Sequence, residues 1–181
     1  MKAPLILAVL AALIVLRWTH LFWACEQSRR DIPRPPRSRD HDWPATALGL
    51  LYGFALVLCL SRCRNADQFT TVRGVSALSL MSAGVLLRLA GQSAIRSAFS
   101  WYWTPSSSLI TTGIYRWMKH PLLLGYLLET ASLFVVAPLR PLDSGLLIAA
   151  TALLIWLQAI GEEKRLDVNF GDQWRSFARG K

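Results

Sequence analysis

Two short segments contain the residues whose types and spacing could do chemistry. The first is Ser107–Glu129, SSLITTGIYRWMKHPLLLGYLLE, which contains His120. The second is Gly161–Phe177, which carries the adjacent carboxylates Glu162 and Glu163 near its start. Taken alone, each segment would more often be structural than functional. An imidazole and a carboxylate brought together would nevertheless form a polar site.

The elements between these segments predict that the two segments meet. Two apolar runs, Pro121–Pro138 and Leu142–Ile160, are joined by a short break around Arg140. His120 stands 20 residues before Arg140, and Glu162 stands 22 residues after it. If both runs are helices, the same rise per residue makes the two legs nearly equal in length. We therefore expect an antiparallel helical pair with His120 and Glu162 at the same end.

The residues around His120 suit the start of a helix that meets a ligand. Gly113 permits a tight turn and a close backbone approach. Pro121 suits the first helical turn, where its missing N–H group costs little. The backbone N–H groups of Leu122 and Leu123 are then free to meet an acceptor just behind His120.

Glu162 and Glu163 follow the second apolar run, so they are expected at the C-terminal end of that helix. A helix C-terminus is already partly negative, and carboxylates there invite a cationic partner. The alternative is that both carboxylates are solvated, or balanced by Lys164 and Arg165 beside them.

The composition indicates a small membrane protein. The 181 residues are 53% hydrophobic with a formal charge of +9, the mean hydropathy is +0.34 and the pI is near 10.2. The basic residues lie between apolar runs and not on one polar face, so nucleic acid is not expected as a partner. The three cysteines form no CxxC pair and have no nearby histidine ligand set, so they predict apolar packing and neither a metal site nor disulfides: Cys25, Cys59 and Cys63.

The length allows one domain. We expect residues 1–181 to form a single membrane domain, with three spans in 1–99 and the helical pair and tail in 100–181. The fold class that follows is an all-α integral membrane bundle of about five transmembrane helices with a cytoplasmic C-terminal tail.

The three N-terminal spans are predicted at 3–24, Trp43–Leu60 and Gly74–Ile95, because about 20 apolar residues cross a bilayer. The first run could instead be a cleaved signal peptide. Bulky Phe22 and Trp23 precede the would-be cleavage site, where small residues are needed, so a retained helix is favoured.

Several residues within these spans need a protein or interfacial partner. Arg17 and His20 lie one turn apart and should snorkel to the nearby interface or face the bundle. Arg88 should face the protein interior or the headgroups, because an arginine facing lipid is costly. Gly49 and Gly53 form a GxxxG pair that suits close helix contact.

The charges of the connecting segments predict the orientation. Ser28–Asp40 is rich in arginine and proline, which argues against a helix and favours a solvated loop beside anionic headgroups. With five spans and the N-terminus outside, the inside segments 25–42, 96–119 and 161–181 carry thirteen Lys and Arg residues, against five outside. The positive-inside rule then places the C-terminus and the His120 end in the cytoplasm.

The two chemistry-bearing segments also resemble a known family. SSLITTGIYRWMKHPLLLG, followed after one helical hairpin by GEEKRLDVNFGDQWRSF, resembles the isoprenylcysteine carboxyl methyltransferases and their bacterial relatives, and is similar to phospholipid methyltransferases. Their usual pattern has Gly-x-Tyr, Arg-His-Pro and a later Glu-Glu-x-x-Leu that ends in Phe-Gly. The resemblance covers the chain from Ser100 onward. It implies an integral membrane enzyme, in the bacterial inner membrane, that uses S-adenosylmethionine.

The resemblance also implies which residues hold that cofactor. Glu162 would bind its ammonium group through a charge-assisted pair. The helix start behind His120 would offer donors to its carboxylate, while Leu109, Ile110 and Tyr115 pack on adenine. The implied pocket is lined by Ser107, Ser108, Leu109, Ile110, Tyr115, His120, Pro121, Leu122 and Leu123.

Three positions depart from the family pattern. Lys119 replaces the arginine before His-Pro and lacks its planar fork, and Leu123 replaces a common tyrosine. Gln158 stands where eukaryotic members have an arginine tied to the substrate carboxylate. The cofactor half is thus kept more closely than the acceptor half.

The predicted activity is methyl transfer to a lipid or other lipophilic acceptor at the cytoplasmic face. A base is needed only if the acceptor is protonated, and Tyr115, His120 and Glu163 stay open as candidates. One alternative is a sterol-reductase-like membrane enzyme that uses NADPH. Another is a non-catalytic accessory protein.

Overall fold

The computed structural model describes residues 3–31, 43–62, 71–95, 109–137 and 139–180. All secondary structure in these ranges is helical, as predicted. The helices are α1 (Ala3–Asp31), α2 (Trp43–Arg62), α3 (Thr71–Ile95), α4 (Pro121–Val136), α5 (Pro141–Phe170) and α6 (Asp172–Arg179), with a 3-10 turn at Gly113–Arg116.

Four of these helices are long and apolar enough to cross a membrane: α1, α2, α3 and α5. The fifth apolar helix, α4, has 16 residues and is shorter than the others. Large apolar side chains on the outer faces are exposed, for example Leu50, Val57 and Trp156. Apolar outer faces of this extent are typical of a surface that meets lipid.

The most extensive helix contact joins α3 to α4, and α1 packs on α3. The backbones of α3 and α4 lie close together at Gly84. A Cβ atom added there would lie only 2.7 Å from the carbonyl oxygen of Gly125. The expected close contact at Gly49 and Gly53 is wrong, because an added Cβ atom at either position would have no atom of the described residues within 4 Å. The small residues that matter for packing are therefore on α3 and α4.

The buried core lies among α1, α2, α3 and α4. Cys59 is half-buried on α2 and packs against it, while the side chains of Cys25 and Cys63 lie outside the described residues. Its buried members are Ile6, Leu10, Tyr52, Ala55, Ala77, Met81, Val85, Leu133, Phe134 and Val136.

Two predicted boundaries are corrected. The last long helix was expected to end near Ile160 but continues to Phe170, so the two glutamates lie inside α5 and not at its end. The segment after Gly161 is rich in Glu, Lys, Arg and Leu, which favour a helix. The first helix likewise runs to Asp31, so Ser28–Asp31 is helical and only the rest of the predicted loop lies outside the described residues.

Gly171 ends the long helix. Its φ of +50° lies in the region that favours glycine. The chain then turns into the short amphipathic helix α6, whose Trp174 is buried. This turn places α6 beside the end of the α4–α5 pair.

Candidate functional site

The imidazole of His120 meets both carboxylates of α5. Its Nδ1 lies 3.1 Å from Oε2 of Glu162, and its Nε2 lies 3.2 Å from Oε1 of Glu163. The predicted meeting of the two segments at one end of the helical pair is therefore confirmed. We call this group, His120 with Glu162 and Glu163, the clasp.

The backbone at the start of α4 leaves the imidazole free to reach across. His120 immediately precedes the helix, with φ −127° and ψ 59°, and its side chain makes no capping hydrogen bond. Its carbonyl oxygen accepts a hydrogen bond from the N–H of Leu124, 3.1 Å away. Pro121 occupies the first turn, as the sequence predicts.

The geometry of the clasp favours a protonated histidine wherever both glutamates are ionised. A carboxylate oxygen only accepts, so satisfying both contacts needs a proton on each ring nitrogen. Burial lowers the pKa of His120, but the hydrogen bonds and charges of Glu162 and Glu163 outweigh burial and raise that pKa above its ordinary value. This raised pKa favours the imidazolium form of His120 between the two carboxyl groups.

Lys119 extends this charge network to α6. Its Nζ lies 3.6 Å from Oε1 of Glu163 and 5.8 Å from the ring centre of Trp174. A lysine over a tryptophan ring gains from the cation–π attraction. With Lys119 included, two cations face two carboxylates, and α6 is tied to the open end of the α4–α5 pair.

Tyr115 lies beside the clasp on the 3-10 turn. Gly113 begins this turn with φ +62°, and an added Cβ atom there would lie 3.1 Å from Cβ of Ala94. The predicted tight turn is therefore confirmed. Burial raises the pKa of Tyr115, and the negative charge of Glu162 raises it further. The phenol consequently stays protonated at neutral pH.

The other predicted site residues divide into those that the structure describes and those that lie outside the described ranges. Gln158 is buried one turn before Glu162 on α5. The backbone donors of Leu122 and Leu123 lie in the first turn of α4. Leu109 and Ile110 are half-buried ahead of the 3-10 turn. Ser107 and Ser108 lie outside the described residues, and the roles of all these residues stay predictions.

The three base candidates differ in what their resting forms can do. The imidazolium of His120 has no free lone pair, and the phenol of Tyr115 is a donor. Glu163 is an acceptor, and its side chain is the most open of the clasp at 41% exposure, against 19% for Glu162. Glu163 is accordingly the candidate that offers an exposed acceptor.

A second charged group, deeper in the helices, is absent from the sequence-based prediction. Glu129 on α4 lies with its Oε1 3.3 Å from Nε of Arg17 and 3.8 Å from Nε of Arg88. We call these three residues the arginine cluster. Arg17 and Arg88 were expected to face either the interior or the interface, and both face the interior. A glutamate inside the apolar run of α4 was the signal that could have predicted their partner.

No family model, curated protein or solved structure matches this chain. The resemblance to membrane methyltransferases therefore depends on the quoted sequence motifs alone.

Proposed function

We propose that this protein is an S-adenosylmethionine-dependent methyltransferase that acts on a membrane-embedded or amphipathic acceptor at the cytoplasmic face. The observation that supports this proposal is the meeting of His120 with Glu162 and Glu163, 42 and 43 residues further along the chain. In the resembling family, the corresponding motifs form the cofactor site. The proposed topology has five spans, with α4 as the short fourth one and the C-terminus inside.

The residues present fit such a cofactor. Glu162 uses Oε2 for His120, and a carboxylate has about four acceptor positions, so the same group can also take an ammonium. The first-turn N–H groups of Leu122 and Leu123 suit an amino-acid carboxylate. Tyr115 adds a half-buried aromatic face beside these groups.

S-adenosylmethionine would supply an activated methyl group, which passes to a lone pair of the acceptor while the sulfur keeps the bonding electrons. The protein's share is alignment, which can supply most of the rate for a donor that is already activated. Glu162 would orient the amino-acid end, and Lys119 with Trp174 would hold α6 over the opening. Glu163 would take a proton where the acceptor carries one.

The decisive experiment is titration of the purified full-length protein with S-adenosylhomocysteine by calorimetry in detergent. We expect Glu162→Ala to abolish binding and leave the protein folded, because the ammonium loses its partner. Asp167→Ala is the matched control, since it removes a carboxylate from the same helix outside the clasp. Unchanged affinity in Glu162→Ala would contradict the proposal.

A second candidate is a non-catalytic accessory protein. The observation that favours it is that the clasp is satisfied by its own residues, so it could serve only to close the α4–α5 pair. The same titration separates the candidates, because an accessory protein would bind no nucleotide-like ligand. Saturation by NADPH in place of S-adenosylhomocysteine would instead support the reductase. Methyl transfer into a lipid extract then tests the activity itself.

A further inference from the structure

The arginine cluster carries more positive than negative charge. Arg17, Arg88 and Glu129 have side chains that are 6%, 12% and 2% exposed, and both arginines share one carboxylate oxygen. An arginine is not deprotonated in proteins. The cluster therefore carries a net charge of +1 if Glu129 is ionised and +2 if it is neutral.

The surroundings of the cluster add donors and no further anion. The guanidinium of Arg88 lies 5.4 Å from the ring centre of Tyr126, and the hydroxyl of Tyr126 donates to the carbonyl of Leu48. Tyr52 packs against the Tyr126 ring, with 5.5 Å between the ring centres. Among the described residues, Glu129 is the only carboxylate in an ion pair with either arginine.

Several buried donors around the cluster have no hydrogen-bond acceptor within the described part of the chain. They are Nη1 of Arg17, the hydroxyl of Tyr52 and Nε2 of Gln92, whereas Nε of Arg17 and Nε of Arg88 both face Oε1 of Glu129. The Oε1 of Gln92 is already used by Nδ1 of His20, 2.8 Å away. A buried donor without an acceptor is costly, and three of them in one region indicate an acceptor that the described residues do not themselves provide.

We propose that the arginine cluster is a binding site for the carboxylate of a small or single-chain organic acid. A carboxylate supplies the missing negative charge and offers only acceptors. Its planar shape also matches the guanidinium fork better than a spherical ion does. Glu129 holds the two arginines together, and the bound carboxylate completes their neutralisation.

This site is separate from the clasp. Glu129 lies nine residues beyond His120, which is about 13 Å along the axis of α4. The proposal does not depend on methyl transfer, and its test uses neither S-adenosylmethionine nor an analogue. Failure of one proposal therefore leaves the other unchanged.

The test measures binding of two radiolabelled acids, oleate and acetate, to the full-length protein in phosphatidylcholine nanodiscs, with empty discs as the blank. Saturable binding of oleate alone identifies an acyl-chain acid, and saturable binding of acetate identifies a small free acid. Each result supports the site only if the binding depends on the cluster.

Two substitutions that change the net charge of the arginine cluster in opposite directions test whether binding depends on it. Arg88→Gln makes the cluster neutral, and we expect affinity to fall about tenfold or more, as for the loss of a charge-assisted hydrogen bond. Glu129→Gln raises the net charge to +2, and we expect tighter binding. Arg175→Gln, an exposed arginine paired with Asp167, is the matched control and should bind as the parent protein does.

Tyr52→Phe keeps the test valid if a charge variant fails to fold. It removes one donor and no charge, and it should weaken binding about threefold or more. A purely structural ion cluster predicts a different pattern, in which Glu129→Gln loses stability and gains no affinity. Absence of saturable binding of either acid, or binding unaltered in both Arg88→Gln and Tyr52→Phe, would overturn the proposal.

Discussion

Two groups of charged side chains, the clasp and the arginine cluster, differ in their balance of charge. In the clasp and its neighbour Lys119, two cations face two carboxylates, and these side chains are partly exposed. In the arginine cluster, two cations share one carboxylate; Arg17 and Glu129 are buried, and the Arg88 side chain is 12% exposed. A charge-balanced group near the surface can break and re-form its ion pairs at little cost in free energy, because water solvates the separated charges. An unbalanced group among apolar helices must be compensated, because a buried unpaired charge is expensive.

The largest effect expected from this comparison is at Glu129. Replacing it by leucine leaves two buried arginines that repel each other, and should lower the free energy of unfolding by about 3–5 kcal/mol. Thermal unfolding in detergent, followed by tryptophan fluorescence, measures the change.

Two controls accompany this prediction. Asp167→Asn breaks an exposed pair with Arg175 and should leave the unfolding temperature unchanged. The triple variant Arg17→Met, Arg88→Met, Glu129→Leu removes all charges and should recover most of the loss. A Glu129→Leu variant as stable as Asp167→Asn would show that the arginine cluster does not stabilise the fold.

A smaller loss of stability is expected from adding a methyl group to a glycine beside the arginine cluster, compared with a glycine beside the clasp. A methyl group at Gly84 would lie 2.9 Å from the backbone nitrogen of Glu129, so Gly84→Ala must push α3 from α4. We expect a loss of about 1–3 kcal/mol by the same unfolding assay. In Gly161→Ala, beside Glu162, the added methyl group meets no atom within 4 Å in the described part of the chain, so this change should be neutral. Equal losses at the two glycines would contradict the difference in packing.

The smallest effect is the pH dependence of the clasp. The folded pKa of His120 is raised above its unfolded value of about 6.5. Its contribution to stability is therefore fully present below that unfolded value and is lost as the pH rises through the folded pKa. The unfolding temperature should fall over this range. Substituting Gln for His120 should remove this dependence, and a His120→Gln profile parallel to that of the parent would contradict the assignment.

Much of the fold followed from local pattern. Apolar runs of span length predicted helices at all five places, and the near-equal legs around Arg140 predicted that His120 and Glu162 meet. Helix ends were less predictable. The continuation of α5 to Phe170 was missed because Gly161 and the first charges look like a boundary, although the following residues favour a helix.

The partners of the buried charges could not be predicted in the same way. The sequence shows Arg17, Arg88 and Glu129 on three separate helices, 41 to 112 residues apart. Which of them face each other depends on how each helix is rotated, and that rotation is decided by packing. The same holds for the glycines. An added Cβ atom at Gly49 or Gly53 meets no described atom within 4 Å, while Gly84 and Gly125 lie in close contact.

By itself, the sequence determined the helical class, the apolar spans and the meeting of the two motif segments, because hydrophobic length and rise per residue are local properties. The tertiary structure alone decided that His120 lies between both glutamates and that one buried carboxylate serves two arginines. Those outcomes depend on helix rotation and on side-chain reach. Both are set by close packing between distant parts of the chain.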